Sequence, residues 1–407
     1  MKMRISIIGG GIAGLSFALG LQQKGIDCEV FEGVPEVKEI GVGITLLPHA
    51  MKELAAVGVQ AQIEALGIEN LESVFYTRHG QYVYREARGR HAGYALPEIG
   101  IHRGKLHRIL FDEAVRRLGA DRVHTGHRCT GFTQDDTGVT LNFDLADGSR
   151  RQVRSELVVA CDGVNSTVRK QMHPHDKVCF GGINTWRGVS IHKPILTGKS
   201  YLRIGTVEHG KMVIYPIQDN VDGQGNQLVN WVAELQRPDA AMNDWNKPGD
   251  VQVCADIYKD WKFPFLDVPA MILNSEKVLE YPMVDKDALP FWTQGRVTLM
   301  GDAAHPMYPR GSNGSAQALI DARTLADCLV QNESPLQALQ QYESMRLPTT
   351  AKVVQTNRTV PPDFIIMKAD ELSHGQPFKH IDDLISQEEL RQISENYKQI
   401  AGFALKA

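Results

Sequence analysis

A glycine-rich turn near the start of the chain has the spacing of a nucleotide-binding motif. Gly9, Gly11 and Gly14 follow a short β-rich run, residues 4–8, and precede apolar residues at helical spacing. In such a turn the first glycine permits the tight bend and the second admits a pyrophosphate to the backbone. The third lets the helix pack on the strand. The pattern therefore predicts a dinucleotide site.

The helix opened by this turn would supply the phosphate contacts. The N–H groups of Ile12 and Ala13 stand at its start, where backbone donors lack partners and partial positive charge gathers. Glu32 ends the next β-rich run, near the offset of about 20 residues at which a carboxylate accepts from ribose hydroxyls. A turn that serves packing alone would give Glu32 no role. The motif by itself does not separate NAD from FAD.

Two later segments place polar residues directly after apolar runs. Residues 162–169 read Asp-Gly-Val-Asn-Ser-Thr-Val-Arg, and residues 301–306 read Gly-Asp-Ala-Ala-His-Pro. With the glycine turn, these segments resemble the class A flavoprotein monooxygenases, typified by p-hydroxybenzoate and salicylate hydroxylases. Order and spacing agree over nearly the whole chain. The blocks at 181–188 and 281–285 are more similar to one branch, which contains 5-methylphenazine-1-carboxylate monooxygenase. The resemblance therefore implies that the dinucleotide bound is FAD rather than NAD.

The resemblance also implies roles for individual residues. Asp302, after Gly301, would bind a ribityl hydroxyl of FAD, although an aspartate here is also a good helix N-cap. Asp162, Gly163 and Arg169 would act between the flavin and NAD(P)H.

Arg103, which opens a long helix, would lie against the flavin or its pyrophosphate. A solvated charge at a helix start is the alternative for this arginine.

The segment 309–316 carries the residues expected nearest the reacting part of the flavin. It reads Pro-Arg-Gly-Ser-Asn-Gly-Ser-Ala and begins a helical pattern. Small side chains would let backbone N–H groups meet the ring edge and stabilise the charge of reduced flavin. The family usually has Gln-Gly-Ala-Asn here, whereas this chain has Asn313-Gly314-Ser315-Ala316, so the resemblance implies the backbone contacts and not the contact of the usual asparagine side chain. We assign catalytic roles to Pro309, Gly314 and Ser315, and cofactor contacts to Gly311 and Asn313.

The chemistry implied by the resemblance is aromatic hydroxylation. NADH or NADPH would reduce FAD. Because the chain has only one Gly-x-Gly-x-x-Gly motif, this nucleotide would have no Rossmann domain of its own and would bind transiently as a co-substrate. O2 would then react through a C4a-hydroperoxide that must be shielded from water. Two alternatives remain open: an FAD oxidase or dehydrogenase on the same fold, and a non-catalytic flavin-binding protein.

The substrate, a small flat aromatic or heteroaromatic molecule, is expected between the β-rich region and the flavin. The pocket candidates are aromatic, sulfur-containing or cationic side chains that could equally be core: Trp186, Arg187, Arg203, Tyr215, Trp231, Tyr281, Met283, Met307 and Tyr308. The two arginines are candidates for binding a substrate carboxylate.

Other chemistries find less support. A Gly-x-Ser-x-Gly elbow is missing from the sequence, which argues against a serine hydrolase. The run His173-Pro174-His175-Asp176 is typical of a solvated loop, so no metal site is predicted. His305 is expected to pack and to make a backbone hydrogen bond, rather than to act as a base.

The elements that must position these residues form an α/β fold. Strand, glycine turn, helix 12–23 and strand 28–31 make a βαβ unit that begins a parallel, Rossmann-like sheet. A second amphipathic helix follows Gly104, and strands are expected at 138–143 and 157–161. Short alternating runs such as 212–217 and 228–233 predict an inserted antiparallel sheet. Helical patterns close the chain, with Pro348, Pro361 and Pro362 as breakers.

The expected division has an FAD-binding domain in three parts, residues 1–70, 101–178 and 285–360. A substrate-domain segment, 71–100, joins the β-rich substrate domain, 179–284, and the C-terminal helical tail spans 361–407. A chain of 407 residues is longer than a single hydrophobic core usually supports, so more than one domain is expected.

Composition limits the partners and the compartment. The net charge of −4 argues against a nucleic-acid partner, and no basic cluster beside an apolar run suggests a membrane anchor. Residues 5–21 could imitate a signal peptide, but the glycines at 9, 10, 11 and 14 interrupt the apolar run and no cleavage site follows. The six scattered cysteines predict free thiols. We expect a cytoplasmic protein, either monomer or homodimer.

Overall fold

The computed structural model describes residues 4–39, 41–238, 247–359, 363–401 and 404. Its strands are, in chain order, β1 Ile5–Ile8, β2 Cys28–Phe31, β3 Gly43–Leu46, β4 Ile68–Glu69, β5 Glu72–Tyr76, β6 Tyr82–Ala87, β7 Ile99–His102, β8 Val123–His124, β9 His127–Asp135, β10 Gly138–Leu145, β11 Arg150–Ser155, β12 Leu157–Ala160, β13 Val178–His192, β14 Ser200–Thr206, β15 Gly210–Gln218, β16 Gln227–Gln236, β17 Lys247–Pro248, β18 Lys262–Phe263, β19 Leu266–Asp267, β20 Ser275–Lys286, β21 Thr293–Gln294 and β22 Val297–Leu299.

The α-helices are α1 Ile12–Gln23, α2 Pro48–Ala56, α3 Gln60–Leu66, α4 Arg103–Leu118, α5 Thr167–Met172, α6 Val251–Ile257, α7 Val268–Leu273, α8 Gly314–Gln331, α9 Pro335–Thr359, α10 Phe364–Leu372 and α11 Gln387–Ala401. Short 3-10 turns occur at Gly89–Ala92, Ala120–Arg122, Gly301–Ala303 and Ile381–Asp383.

The first sheet has the strand order β21-β22-β12-β1-β2-β8 and is parallel except for β21. Strand β1 lies between β2 and β12, and its residues are fully buried or nearly so. Helix α1 packs against the first sheet, and so does the three-stranded sheet β11-β10-β9, whose Phe143 stacks on Phe31 of β2. The parallel α/β sheet and the helix at 12–23 confirm the predictions. Because the carboxyl ends of parallel strands meet at one edge, the turns after β1, β2, β12 and β22 converge there.

The second sheet has the order β17-β20-β13-β16-β15-β14-β5-β6. Its neighbours are antiparallel except β14 and β5, which are parallel. One face packs on α6 and α7 in a core that includes Trp186, Trp231 and Tyr258. We call the opposite face the inner face. It carries Tyr201 and Tyr215, and it contacts the small antiparallel sheet β3-β7-β4 where Asn230 Oδ1 accepts from Gly43 N at 2.7 Å.

Helices α10 and α11 cover the end of the inner face formed by β5 and β6. Ile365, Ile366 and Leu390 pack there against Phe75 and Val83. The C-terminal helices therefore bury the end of the inner face that β5 and β6 form. The centre of the inner face lies away from them, toward the first sheet. The structure describes no helix long and apolar enough to cross a membrane.

Two details of the sequence-based expectation need correction. Strands β9 and β11 were missed because their exposed residues interrupt the apolar alternation. Helix α9 also continues through Pro348, which was expected to break it. Pro348 lies on the exposed side, so the carbonyl freed at Ser344 meets solvent, while buried Arg346 and Val353 hold the helix. Pro361 and Pro362 lie outside the described residues.

Candidate active site

The glycine turn after β1 has room for a side chain at its middle glycine but not at the two outer ones. Gly9 has a φ of 99°, and a Cβ there would lie 2.4 Å from the carbonyl oxygen of Cys161. A Cβ at Gly14 would lie 2.1 Å from the carbonyl oxygen of Gly9. At Gly11 no atom lies within 4 Å of the corresponding point. The outer two glycines thus close the turn, and the middle one leaves backbone open to a ligand.

The start of α1 and Glu32 face this open position. The first helical hydrogen bond runs from Leu15 N to Gly11 O at 3.0 Å, so the earlier N–H groups, including those of Ile12 and Ala13, have no partner within the helix. Glu32 accepts from Gly10 N at 2.7 Å and from Val34 N at 2.8 Å. Each carboxylate oxygen keeps a further lone pair for a hydroxyl. This donor and acceptor set fits the ADP part of FAD.

His107 is a neighbour of this turn that the sequence did not reveal. Its Nε2 lies 2.5 Å from the carbonyl oxygen of Gly10 and ties α4 to the glycine turn. Arg103, at the start of the same helix, donates its backbone N–H to Val42 O at 2.9 Å. Its side chain is exposed. A histidine at helical spacing from other polar residues gives no signal for such a contact.

Asp162 combines a structural contact with an unused oxygen. Its Oδ2 accepts from Thr167 N at 2.8 Å at the start of α5. Its Oδ1 is buried and has no hydrogen-bond partner within the described residues. Burial raises the pKa of this carboxyl above its usual value. Gly163, with a φ of 78°, makes the turn that follows. Asp162 Oδ1 is therefore an acceptor available to a cofactor.

Arg169 holds the protein together, and its position does not favour the predicted direct cofactor contact. Its side chain is fully buried, with Nε and Nη2 2.8 and 2.9 Å from the carboxylate of Asp176. Its Nη1 donates to the carbonyl oxygens of Ala303 and Ala304 at 3.1 and 2.7 Å. Arg169 thus fixes the backbone beside Asp302 and acts as a positioning residue.

The run from His173 to Asp176 is solvated only in its middle, where Pro174 and His175 are exposed. Asp176, expected in a solvated loop, accepts from Lys286 at 2.6 Å as well as from Arg169. The prediction was wrong for this residue because burial of a paired aspartate leaves no pattern in sequence. Within the described residues no group of His, Cys, Asp or Glu could hold a metal ion.

Asp302 is an exposed carboxylate at the same edge of the sheet. It lies in the 3-10 turn Gly301–Ala303, whose N-cap is Met300, and no side-chain cap hydrogen bond forms there. The helix-cap alternative is therefore not supported. Gly301, with a φ of 60°, would place a Cβ 3.1 Å from the Cβ of Ala13, so this turn and the start of α1 are adjacent. Asp302 can accept a hydroxyl of a cofactor lying along that edge.

A buried network lies beneath Asp302. His305 Nε2 is 2.5 Å from Asp321 Oδ2, which also accepts from Gly301 N at 3.2 Å. Asp321 Oδ1 accepts from Arg346 Nε at 2.7 Å. His305 packs on Trp292 and its backbone N–H donates to Gly301 O at 2.9 Å, as expected, but the pairing of its ring with a carboxylate was not predicted. Asp321 and Arg346 were missed because helical spacing alone placed them among ordinary helix residues.

The segment before α8 makes a sharp turn and exposes a helix start. Gly311 and Ser312 have φ values of 88° and 55°, and the first helical bond of α8 is Gln317 N to Asn313 O. A Cβ at Gly314 would meet only Met307 Cγ, at 3.7 Å, an ordinary contact. Packing within the protein therefore does not require glycine at 314, and the space beside the helix start is open.

The neighbours of that helix start differ in exposure. Pro309 is exposed, whereas Ser315, in the first turn of α8, is partly buried. Asn313 accepts through Oδ1 from His49 Nε2 at 2.9 Å, and its Nδ2 has no partner among the described residues. This buried amide N–H is a donor available to a cofactor.

The inner face brings several predicted pocket residues near this segment. Tyr215 stacks on Tyr201 with ring centroids 5.0 Å apart and planes 8° apart. Tyr201 Oη lies 3.3 Å from Ser312 Oγ, which joins the second sheet to the turn before α8. Arg187 lies over the ring of Tyr281, 5.1 Å from its centroid. Tyr201 was missed in the sequence because only cross-strand pairing places it beside Tyr215.

Other pocket candidates lie elsewhere. Trp186 and Trp231 are fully buried on the face packed against α6 and α7, so their positions do not support a place in the pocket wall. Trp231 Nε1 lies 3.0 Å from both Ser190 Oγ and Ser275 Oγ, as in a satisfied core residue. These rings were misassigned because alternation along a strand does not say which face meets the cofactor.

The remaining candidates occupy intermediate positions. Arg203 pairs with Asp363 at 3.0 Å and is buried, so its charge is already compensated. Met283 and Tyr308 pack together beside Ile183 in a small cluster. Met307 is partly buried next to Gly314.

Comparison with known proteins agrees with this geometry. The FAD binding domain family model matches residues 2–357. Phenazine 1,6-dicarboxylic acid hydroxylase PhzS of Lysobacter antibioticus is 38% identical over 363 residues, 87% of this chain and 89% of that protein. 3-Amino-4-hydroxybenzoate 2-monooxygenase of Streptomyces cremeus is 30% identical over 372 residues, 89% and 88% of the two chains.

A solved structure shows the same fold at low identity. Klebsiella pneumoniae HpxO, complexed with FAD and uric acid, aligns with a TM-score of 0.75 and 23% identity. The alignment covers 98% of this chain and 95% of that one.

The chain belongs to the FAD binding domain family. Within it, the chain is a flavin-dependent oxidoreductase of the class A aromatic monooxygenases, as its motifs predicted.

Proposed function

We propose that this protein hydroxylates a flat aromatic or heteroaromatic ring, using FAD, O2 and either NADH or NADPH. One observation carries the proposal. The start of α1, the start of α8 and the Asp302 carboxylate converge below the inner face, which carries Tyr201 and Tyr215. The names of the relatives, a phenazine dicarboxylic acid hydroxylase and an aminohydroxybenzoate monooxygenase, support an aromatic substrate.

The bound cofactor would be held by the elements at the edge of the first sheet. The start of α1 and Glu32 fit its ADP part, while Asp302 and Asp162 Oδ1 offer acceptors farther along the same edge. FAD, when bound, supplies the electron transfer and the activation of O2. The proposed contacts of Arg103, Asp162, Gly163 and Asp302 await direct tests.

The chain's own contribution is orientation, charge stabilisation and exclusion of water. The free N–H groups at the start of α8, beside Gly314, would stabilise negative charge on the pyrimidine part of the reduced ring. The stacked pair Tyr201 and Tyr215 would shield the reacting centre, because buried rings leave little room for water. Met307 would border the same space.

The experiment is an assay of the FAD-loaded protein with NADH and NADPH in turn, over a panel of aromatic acids and phenols. We expect at least one compound to accelerate NAD(P)H oxidation while less H2O2 forms than NAD(P)H is consumed. Equal amounts of H2O2 and oxidised NAD(P)H with every compound would instead identify an oxidase. No flavin reduction by either nucleotide would point to a non-catalytic flavin-binding protein.

The finer organisation of the protein is part of the same proposal. We place the substrate domain at 71–100 and 179–284, between the three parts of the FAD-binding domain. The six cysteines form no disulfide and five are buried, which fits the cytoplasm. Sedimentation analysis of the FAD-loaded protein would test the proposed monomer or homodimer.

A further inference from the structure

One charge on the inner face lacks compensation. The guanidinium of Arg187 makes no hydrogen bond and no ion pair with the residues that the structure describes, and its Nε is buried without a partner. Its guanidinium lies over the ring of Tyr281, 5.1 Å from the ring centroid. Arg187 as a residue is partly buried. Withdrawing a cation from water is costly unless it is paired, so an unpaired one beside a ligand site calls for an anion.

The other buried cations of this face are paired. Arg203 lies 3.0 Å from Asp363, and Lys211 lies 2.7 Å from Asp363 and 2.8 Å from Glu234. Two cations thus face two carboxylates, and this network balances its own charge. Arg187 does not belong to this network, because neither Asp363 nor Glu234 lies within ion-pair distance of it.

The charges around Arg187 do not make up for the water it has lost. Burial lowers the pKa of Arg187 from its usual value, and electrostatic interactions with Tyr215 and Glu234 oppose this shift only in part. Arg187 lies on the inner face, because its neighbour in β13, Trp186, points to the opposite face that packs on α6 and α7.

We propose that Arg187 is a specificity-determining residue that binds a carboxylate on the aromatic substrate. This inference rests on the proposed function and narrows it to aromatic acids. The planar guanidinium can donate two parallel hydrogen bonds to a carboxylate. The ring of Tyr281 holds the guanidinium from the other side. A cofactor phosphate is the other possible anion, and the test separates the two.

The test measures equilibrium binding to the FAD-loaded protein by calorimetry, without NAD(P)H, so turnover plays no part. The probes are matched pairs, each an acid and its primary carboxamide: phenazine-1,6-dicarboxylate, 3-amino-4-hydroxybenzoate and 6-hydroxynicotinate with their amides. For pairs that bind, we expect the acid to bind about 10- to 100-fold more tightly than the amide. Arg187→Met should abolish this preference, and Arg187→Lys should keep part of it.

FAD content and thermal midpoint of each variant serve as controls. Since the carboxylate is assigned to the substrate, Arg187→Met should retain bound FAD. Loss of FAD with an unchanged acid preference would show that Arg187 binds a cofactor phosphate and would overturn the proposal. Equal binding of acids and amides by the unaltered protein would also overturn it while leaving aromatic hydroxylation intact. Failure of every acid and amide to bind would contradict both.

Discussion

The carboxylate of Asp321 on α8 lies 2.5 Å from Nε2 of His305 and 3.2 Å from the backbone nitrogen of Gly301. One fully buried side chain therefore joins the helix that begins at Gly314 to the turn that carries Asp302. Both elements are proposed to contact the flavin, so their separation depends on this carboxylate.

Replacement of Asp321 should affect stability and cofactor binding together. Asp321→Ala leaves Arg346 buried without its partner, which typically costs about 3–5 kcal/mol. We expect a lower thermal midpoint and weaker FAD binding, measured by unfolding and fluorescence titration. Asp327→Ala is the matched control, since Asp327 is on the same helix but partly exposed, and its ion pairs should contribute about 1 kcal/mol or less. Equal effects of the two substitutions would refute the role of Asp321.

Asp302→Ala should weaken FAD binding with little loss of stability. The exposed carboxylate makes no cap hydrogen bond, so its removal deprives a cofactor hydroxyl of a charged acceptor worth about 1.5–3 kcal/mol. The dissociation constant of FAD should rise by about 10- to 150-fold. The dissociation constant of Asp302→Asn, which keeps a neutral acceptor, should lie between those of the unaltered protein and the alanine variant. An unchanged dissociation constant in the alanine variant would remove Asp302 from the cofactor site.

Gly314→Val should slow flavin reduction per bound FAD without a matching loss of stability. The nearest atom to a Cβ at 314 is 3.7 Å away, so the protein has room and the expected interference is with the flavin ring. Loss of one well-placed donor costs about 10²- to 10³-fold in rate. Gly20→Ala in α1, where the nearest atom is 3.8 Å away, controls for adding a side chain to a helical glycine. A normal reduction rate per bound FAD in the valine variant would argue against this contact.

His49 should make stability depend on pH in the acidic range. Burial lowers its pKa from 6.5 to about 4, although the hydrogen bond to Asn313 opposes the shift. As the pH falls, the unfolded chain therefore takes up the proton first. The contribution is intact above pH 6.5 and is lost progressively toward pH 4.

The size of this effect is on the order of 2–3 kcal/mol. Urea unfolding at about pH 7.5 and about pH 4.5 measures it, and His49→Gln should show a smaller difference between the two conditions. Other histidines with lowered pKa values, such as His124 and His173, contribute equally to both proteins and cancel in the comparison. The same pH dependence in both proteins would contradict the assignment to His49.

The cofactor half of the site was largely accessible from sequence because its residues follow strands. Gly9, Glu32, Asp162 and Gly301 all lie at the carboxyl edge of one parallel sheet, and that edge follows from local patterns. The family motifs then distinguished FAD from NAD, which spacing alone did not.

The substrate half was less accessible because it depends on contacts distant in sequence. Alternation shows that Trp186 and Arg187 point to opposite faces, but only the packing of α6 and α7 shows which face is core. Similarly, Arg203 is as plausible a carboxylate ligand as Arg187 until Asp363, 160 positions away, is found beside it.

The most direct test of the account is turnover under oxygen-18 gas with a substrate from the aromatic panel. Mass spectrometry of the product should show one labelled oxygen atom per molecule, and NAD(P)H consumption should exceed H2O2 formation. An unlabelled or unchanged aromatic compound, with all consumed NAD(P)H recovered as H2O2, would contradict aromatic monooxygenation by this protein.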